Sequence, residues 1–219
     1  MKRKAMLYVI LTALVVVGGG IGGYFWYEGH NFVSTDDSRL AGDIYKVMPR
    51  ITGKVTSLQV SEGEHVLADQ IVGQQDTNNL PTSSLDQAVL RSPIEGTVIR
   101  TLVKAGEVSS PGQTVAMVVD TKKLYVSANI EETMITKIQE GQQVEIHLDN
   151  FPGKVLTGKV KEISKATAST FSLLPSTNTS GNFTKVTQRI PIKIAIDDNQ
   201  GLDLSPGIST TIKIHLKGN

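Results

Sequence analysis

A chain of 219 residues that is 39% apolar and 20% charged has the composition of a folded protein, which excludes wholesale disorder. Its formal charge is +1, and because Lys2, Arg3 and Lys4 supply three of the 22 basic residues, the rest carries 19 against 21 acids and offers no electrostatic footprint for nucleic acid. With no cysteine, disulfides, thiolate zinc sites and lipid attachment through Cys are excluded too.

Residues 5–27, AMLYVILTALVVVGGGIGGYFWY, carry no charge and as a helix would extend roughly 34 Å, enough for a bilayer core of about 30 Å. They are read as a transmembrane helix behind a cytoplasmic tail, residues 1–4. The basic tail places the N-terminus inside and everything after Glu28 outside, with Tyr24, Phe25, Trp26 and Tyr27 as an interfacial belt. The competing reading is a cleaved signal peptide, against which stand the missing A-x-A site and the continuation of the apolar run. Gly18, Gly20 and Gly23 fit G-x-G-x-x-G but no strand precedes them, so they do not predict a dinucleotide site. Gly18 with Gly22 and Gly19 with Gly23 have the spacing that lets another membrane helix approach closely.

Residues 28–42 read as a polar connector. Next comes a stretch written twice, at 49–72 and 93–115. A shift of 43 positions lays Gly53 on Gly96, Val55 on Val98, Val60 on Val103, Gly63 on Gly106, Glu64 on Glu107, Gln70 on Gln113 and Val72 on Val115 without a gap. Gly63 and Gly106 fall in polar turns where positive φ is commonly required, and the flanking apolar residues alternate as in strands. Residues 73–91 form a short Asn-, Pro- and Ser-rich loop with room for a turn or two of helix after Pro81.

From residue 121 a second β module is expected. A strand spans Leu124 to Ile130, a short helix Glu131 to Ile138, and further strands fall at Gln143–Leu148, Val155–Ile163, Arg189–Ile196 and Ile208–His215. Within it, the polar loop from Ala166 to Thr184 carries Phe171, Leu173, Leu174 and Phe183. Large apolar groups in such a loop mark either a contact with a partner protein or a plug for one end of the barrel.

No catalytic constellation emerges. His30, His65, His147 and His215 are scattered outside any metal-ligand spacing, Ser92 lacks a G-x-S-x-G context, and the acid pairs Glu131–Glu132 and Asp197–Asp198 suit a helix start and a turn. The chain is therefore read as no enzyme, with no catalytic, cofactor-binding or metal-binding residue.

The repeated pair resembles the split biotinyl/lipoyl-like domain, whose half-motifs wrap about a pseudo-twofold axis into a flattened β-sandwich. Carriers of that family attach biotin or lipoate to a Lys between the halves, whereas no Lys lies between Lys54 and Lys104 here. On a larger scale, the layout resembles the membrane fusion proteins, the adaptor subunits of efflux and hemolysin-type secretion systems. It comprises a basic tail, one span, two half-motifs with the second opening S-P-I-E-G at Ser92–Gly96, and a barrel beginning L-Y-V-S-A-N-I-E-E-T. The run from Phe171 to Ile194 is similar to the barrel segment of the multidrug-resistance (EmrA-like) branch that serves major-facilitator drug antiporters.

The resemblance implies a mostly β chain: transmembrane helix 5–27, lipoyl-like domain 43–120 and β-barrel domain 121–219 with one short helix. It further implies structural roles for Gly53, Gly63, Pro93, Gly96 and Gly106, a candidate partner contact at Phe171, Leu173, Leu174 and Phe183, a permease partner in the cytoplasmic membrane, and self-association. Members that bridge two membranes insert a long helical hairpin between the halves. Only 19 residues separate Val72 from Ser92, too few for two packed helices, which implies a single-membrane bacterium or a short adaptor. Two alternatives stay open: a non-lipoylated carrier or regulatory subunit of an enzyme complex, and a stand-alone cell-surface binding protein.

Overall fold

Strands dominate because Val, Ile and Thr restrict χ1 and pack well on a pleated surface, while glycine turns between them admit positive φ. A computed structural model describes residues 2–78, 81–167 and 187–216, without the side chains of residues 2–10, 12 and 25–27. It opens with α1 (Lys2–Asn31), β1 (Phe32–Ala41), β2 (Ile44–Val47), β3 (Gly53–Leu58), β4 (His65–Val66), β5 (Ile71–Gln75) and β6 (Val89–Arg91). β7 (Gly96–Thr101), β8 (Val108–Ser109), β9 (Ala116–Val119), β10 (Tyr125–Glu131) and α2 (Glu132–Ile135) follow. The last strands are β11 (Gln143–Leu148), β12 (Val155–Ile163), β13 (Arg189–Ile196) and β14 (Ser209–His215). Two compact units result, one of residues 1–39, 126–202 and 207–219, the other of residues 40–125 and 203–206.

The first unit is a closed barrel of six strands in the order β1-β10-β13-β12-β11-β14. Its strands alternate buried and outward positions, sending Val126, Ala128 and Ile130, Val144 and Ile146, Leu156 and Val160, and Ile212 and Ile214 inward. Closure removes every unpaired strand edge.

β1 corrects the expectation that residues 28–42 are a connector. Residues 32–41 close the barrel by pairing antiparallel with β14, Phe32 opposite His215 and Val33 opposite Ile214. The strand is hard to read because one inward position is polar. Ser38 is 7% exposed, and its hydroxyl donates to the Thr210 carbonyl at 2.6 Å and meets the Thr210 hydroxyl at 2.8 Å. A buried hydroxyl so partnered costs little.

The second unit stacks two four-stranded sheets, β2-β9-β7-β4 and β6-β5-β3-β8. Shifting by 43 residues carries β3 onto β7 and β4 onto β8, and turns one strand order into the other. The halves interlock. β4 of the first half pairs with β7 of the second, Val66 opposite Gly96, and β8 pairs with β3, Ser109 opposite Gly53. The core between the sheets is largely valine: Val47, Val55, Val66, Val72, Val98 and Val118 all lie within it.

α1 runs for 30 residues, and Leu14, Val15, Val16 and Val17 on it are each at least 60% exposed. Among the described residues no helix is long and apolar enough to cross a membrane, so the span expected over residues 5–27 rests on the sequence. Phe171, Leu173, Leu174 and Phe183 lie outside the described residues.

Candidate functional site

The interlock is made by backbone hydrogen bonds that repeat across the two halves. Gly63 N donates to Val98 O at 2.8 Å, and Gly106 N to Val55 O at 2.7 Å. In return Val98 N donates to Glu64 O at 2.9 Å and Val55 N to Glu107 O at 2.8 Å. Gly63 and Gly106 reach these positions with φ of 87° and 99°, where a side chain would be strained.

The matched acids and amides have matching tasks. Glu64 Oε2 accepts from Ser61 N at 2.9 Å and Glu107 Oε2 from Lys104 N at 3.0 Å, so each carboxylate closes the turn it follows. Gln70 Oε1 does the same for Leu67 N at 2.8 Å and Gln113 Oε1 for Ser110 N at 3.3 Å. The sequence identity at these positions was the visible sign of a turn cap.

Gly96 is held by a close approach. A Cβ there would lie 2.3 Å from Val119 O and 2.8 Å from Val119 C. Gly53, its counterpart in the repeat, has more room, because a Cβ there would meet Gln75 Cβ at 3.4 Å, ordinary contact. Pro93 precedes β7 and lines a depression of about 470 Å³ together with Tyr45, Ile94, Glu95, Asp120 and Lys122.

Gln75 breaks the pseudosymmetry and was not singled out in the sequence, where its counterpart is Val118. It is 1% exposed, and its Nε2 lies 3.2 Å from Ile51 O, 3.2 Å from Gly53 O and 3.1 Å from Ser109 O. Its Oε1 is buried without a partner. The amide thus ties β5 to the strand pair β3–β8 from within.

The segment between the halves is pinned rather than projecting. Its 3-10 turn, Thr82–Ala88, presents Asp86 to Arg50 at 3.5 Å and to Arg91 at 3.4 Å, and Arg91 Nη1 donates to Asp69 O at 3.0 Å. Asp86 and Arg50 are more than 60% exposed, so these pairs set the path of the loop and contribute little free energy. No Lys lies on this segment to carry a prosthetic group.

Elsewhere in the same unit Glu95 contacts Lys122 at 2.9 Å and His65 at 3.7 Å. The hydrogen bond and charge of Lys122 hold the Glu95 carboxyl below the usual carboxylate range, and Glu95 raises Lys122 in turn. Ser92 spends its hydroxyl on Ile94 O at 2.7 Å, which is a turn contact rather than a nucleophile's. Among the described residues no three His, Cys, Asp or Glu side chains gather to hold a metal ion.

In the barrel unit the end of α1 is fastened to β14. Lys213 Nζ lies 2.8 Å from Glu28 Oε1 and 4.2 Å from the centroid of the Phe32 ring. His215 meets the Phe32 ring edge-on with centroids 4.9 Å apart, and its Nε2 lies 2.9 Å from Glu145 Oε1. The Lys213 hydrogen bond lowers the Glu28 pKa, and the same bond raises that of Lys213. The arrangement fixes the end of α1 against β14.

Two domain families match in tandem, the RND MFP barrel-sandwich hybrid domain over residues 43–121 and the AAEA-like beta-barrel domain over residues 123–215. YhbJ of Bacillus subtilis, a component ascribed to an efflux system, is 37% identical over 191 residues, covering 85% of this chain and 81% of that protein. The colistin resistance protein EmrA of Acinetobacter baumannii is 39% identical over 140 residues, 64% of this chain and 40% of the relative, so the chain spans less than half of that longer protein. Among solved structures, the periplasmic adaptor protein EmrA superposes with a TM-score of 0.58 at 14% identity, covering 84% of this chain and 98% of that one. A membrane fusion protein from Streptococcus pneumoniae R6 gives 0.61 at 16% identity, covering 85% and 99%. At these identities the structural likeness speaks to the fold alone.

Proposed function

The chain belongs to the HlyD/EmrA-like membrane fusion proteins, adaptor subunits of efflux systems, and on that premise we propose that it couples to a polytopic permease of the cytoplasmic membrane, of the major-facilitator drug antiporter type. One observation carries the reading: a barrel-sandwich domain and an AAEA-like barrel follow each other in one chain, a single residue apart. The work is mechanical, holding and lining a path for exported compounds, and no bond is made or broken. The permease contact falls to the loop bearing Phe171, Leu173, Leu174 and Phe183, and copies of the chain associate around the transporter.

α1 spans the membrane once, with its N-terminus inside and both β units outside. Supporting this are the uncharged stretch of residues 5–27, the basic residues before it and the 30-residue length of the helix. The short, pinned segment between the half-motifs supports an adaptor that works without a projecting helical hairpin. Cells lacking the chain are expected to accumulate an exported dye, and the full chain restores efflux while a chain missing residues 2–27 does not. Equal accumulation with and without the chain would sink the efflux reading.

A further inference from the structure

One sector of the barrel rim beside α1 gathers basic groups that, among the described residues, form no ion pair. α1 runs into β1 without a break, and Phe32 pairs with His215, so the barrel end that holds these residues adjoins the helix. Leu216 N donates to Asn31 O at 2.8 Å, and the Glu28–Lys213 pair fastens the last helical turn to the same end. β11 begins at this end, since Val144 lies opposite Ile214, and Gln143 lies opposite Lys159 on β12. β12 then continues past Lys159 toward the helix, carrying Lys161 outward at a bulge and leading on to Lys165. The turn before β11 folds over the same place, with Gly141 N donating to Val160 O at 2.8 Å, and brings Lys137. Lys137 and Leu216 line one depression of about 340 Å³ there, with Glu140 beside them.

Lys137, Lys159, Lys161 and Lys165 are all exposed, and among the described residues none of their ammonium groups has an ion pair or hydrogen bond. Of the nearby acids Glu162 is engaged by Lys193 at 3.5 Å, Glu28 by Lys213 at 2.8 Å and Glu145 by His215 at 2.9 Å, leaving Glu140 beside the four lysines. The other acids of this rim, Glu131 and Glu132, sit at the end of β10 and in α2, with β13 between them and β12.

We propose that this basic sector is a docking surface for anionic lipid headgroups, with the barrel leaning on the outer face of the membrane through Lys137, Lys159, Lys161 and Lys165. The inference rests on the reading that α1 spans the bilayer. If residues 5–27 are the span, Asn31 lies about four residues, or roughly 6 Å of helix, beyond it, inside a Debye length of about 8 Å at physiological salt. The rim lysines, at the barrel end that adjoins Asn31, would gain from a negative surface, which lipid phosphates supply. The surface would limit the tilt of the barrel over the helix, which a flexible anchor alone would not.

The full chain in nanodiscs tests this by reductive methylation of lysines, read residue by residue, in neutral phosphatidylcholine discs and in discs containing phosphatidylglycerol. The expected result is severalfold slower labelling of the four lysines in the anionic discs, reversed by high salt, while Lys54, Lys104 and Lys154 label equally in both. Equal labelling of all lysines in both discs overturns the proposal. So does protection that is the same in neutral discs and grows with protein concentration, which would assign the surface to a second copy. Protease digestion of the same discs keeps the two readings apart: a protected 5–27 peptide with equal labelling removes the lipid contact only, and loss of that peptide removes the membrane span and the contact with it.

Discussion

Replacing Gly96 by alanine puts a Cβ 2.3 Å from Val119 O and 2.8 Å from Val119 C, both backbone atoms of the neighbouring strand. To restore ordinary contact β7 and β9 must part by about 1 Å, a fifth of the usual interstrand spacing of about 4.8 Å, which breaks ladder hydrogen bonds on both sides of the site. Overpacking against a side chain costs about 1–3 kcal/mol, and a backbone neighbour that cannot rotate away sets the cost at the upper end. At about 4–8 °C per kcal/mol for a unit of under 100 residues, a loss of about 3 kcal/mol lowers the melting temperature by more than about 10 °C. The internal control is Gly53, which occupies the equivalent place in the other half. A Cβ there meets Gln75 Cβ at 3.4 Å, and the lower chain entropy of alanine offsets the contact, so Gly53→Ala is expected within about 1 kcal/mol of the parent. Thermal melts of the two purified variants, followed by circular dichroism, decide the matter. Equal losses, or a Gly96→Ala chain that melts with the parent, would refute the reasoning.

Gln75→Leu removes the amide that reaches Ile51 O, Gly53 O and Ser109 O, and is expected to cost about 1–3 kcal/mol less the relief of the unpartnered Oε1; a urea midpoint at or above the parent's would contradict this. The Glu28–Lys213 tether has two pH limits. The depressed Glu28 carboxyl contributes above its unfolded pKa and loses that contribution as pH falls through its folded value, and the raised Lys213 contributes below its unfolded pKa and loses it as pH rises through its folded value. Hydrogen exchange of the amides at residues 29–33 should therefore be slowest between about pH 5 and pH 10 once intrinsic rates are removed, and a protection factor unchanged below about pH 4 would deny the tether a role.

What was legible in the sequence was whatever the duplication wrote twice. Gly63 with Gly106, Glu64 with Glu107 and Gln70 with Gln113 stood out because two copies of one unit need the same turns and the same caps. The barrel strands after residue 121 were visible through simple alternation of apolar and polar side chains, as in Val144, Ile146 and Leu148. β1 escaped because Ser38 occupies an inward place and its hydroxyl is satisfied only by Thr210, far along the chain, which no local pattern reports. Gln75 escaped for the complementary reason, since a polar side chain in a strand reads as outward and only the β3–β8 pairing surrounds it with carbonyls. Gly53 was read as equivalent to Gly96 by its place in the repeat, yet their surroundings differ, since Gly53 faces the Gln75 side chain at 3.4 Å while Gly96 faces the Val119 carbonyl.

An adaptor must work beside a transporter. In-cell cross-linking of the full chain, followed by isolation under denaturing conditions and mass spectrometry of the adducts, reads its neighbours directly. A polytopic permease of the cytoplasmic membrane is the expected adduct, its links mapping to the barrel unit and the loop of residues 166–184. Adducts confined to the subunits of a soluble enzyme complex, with no permease among them, would contradict the adaptor reading and favour a carrier or regulatory subunit.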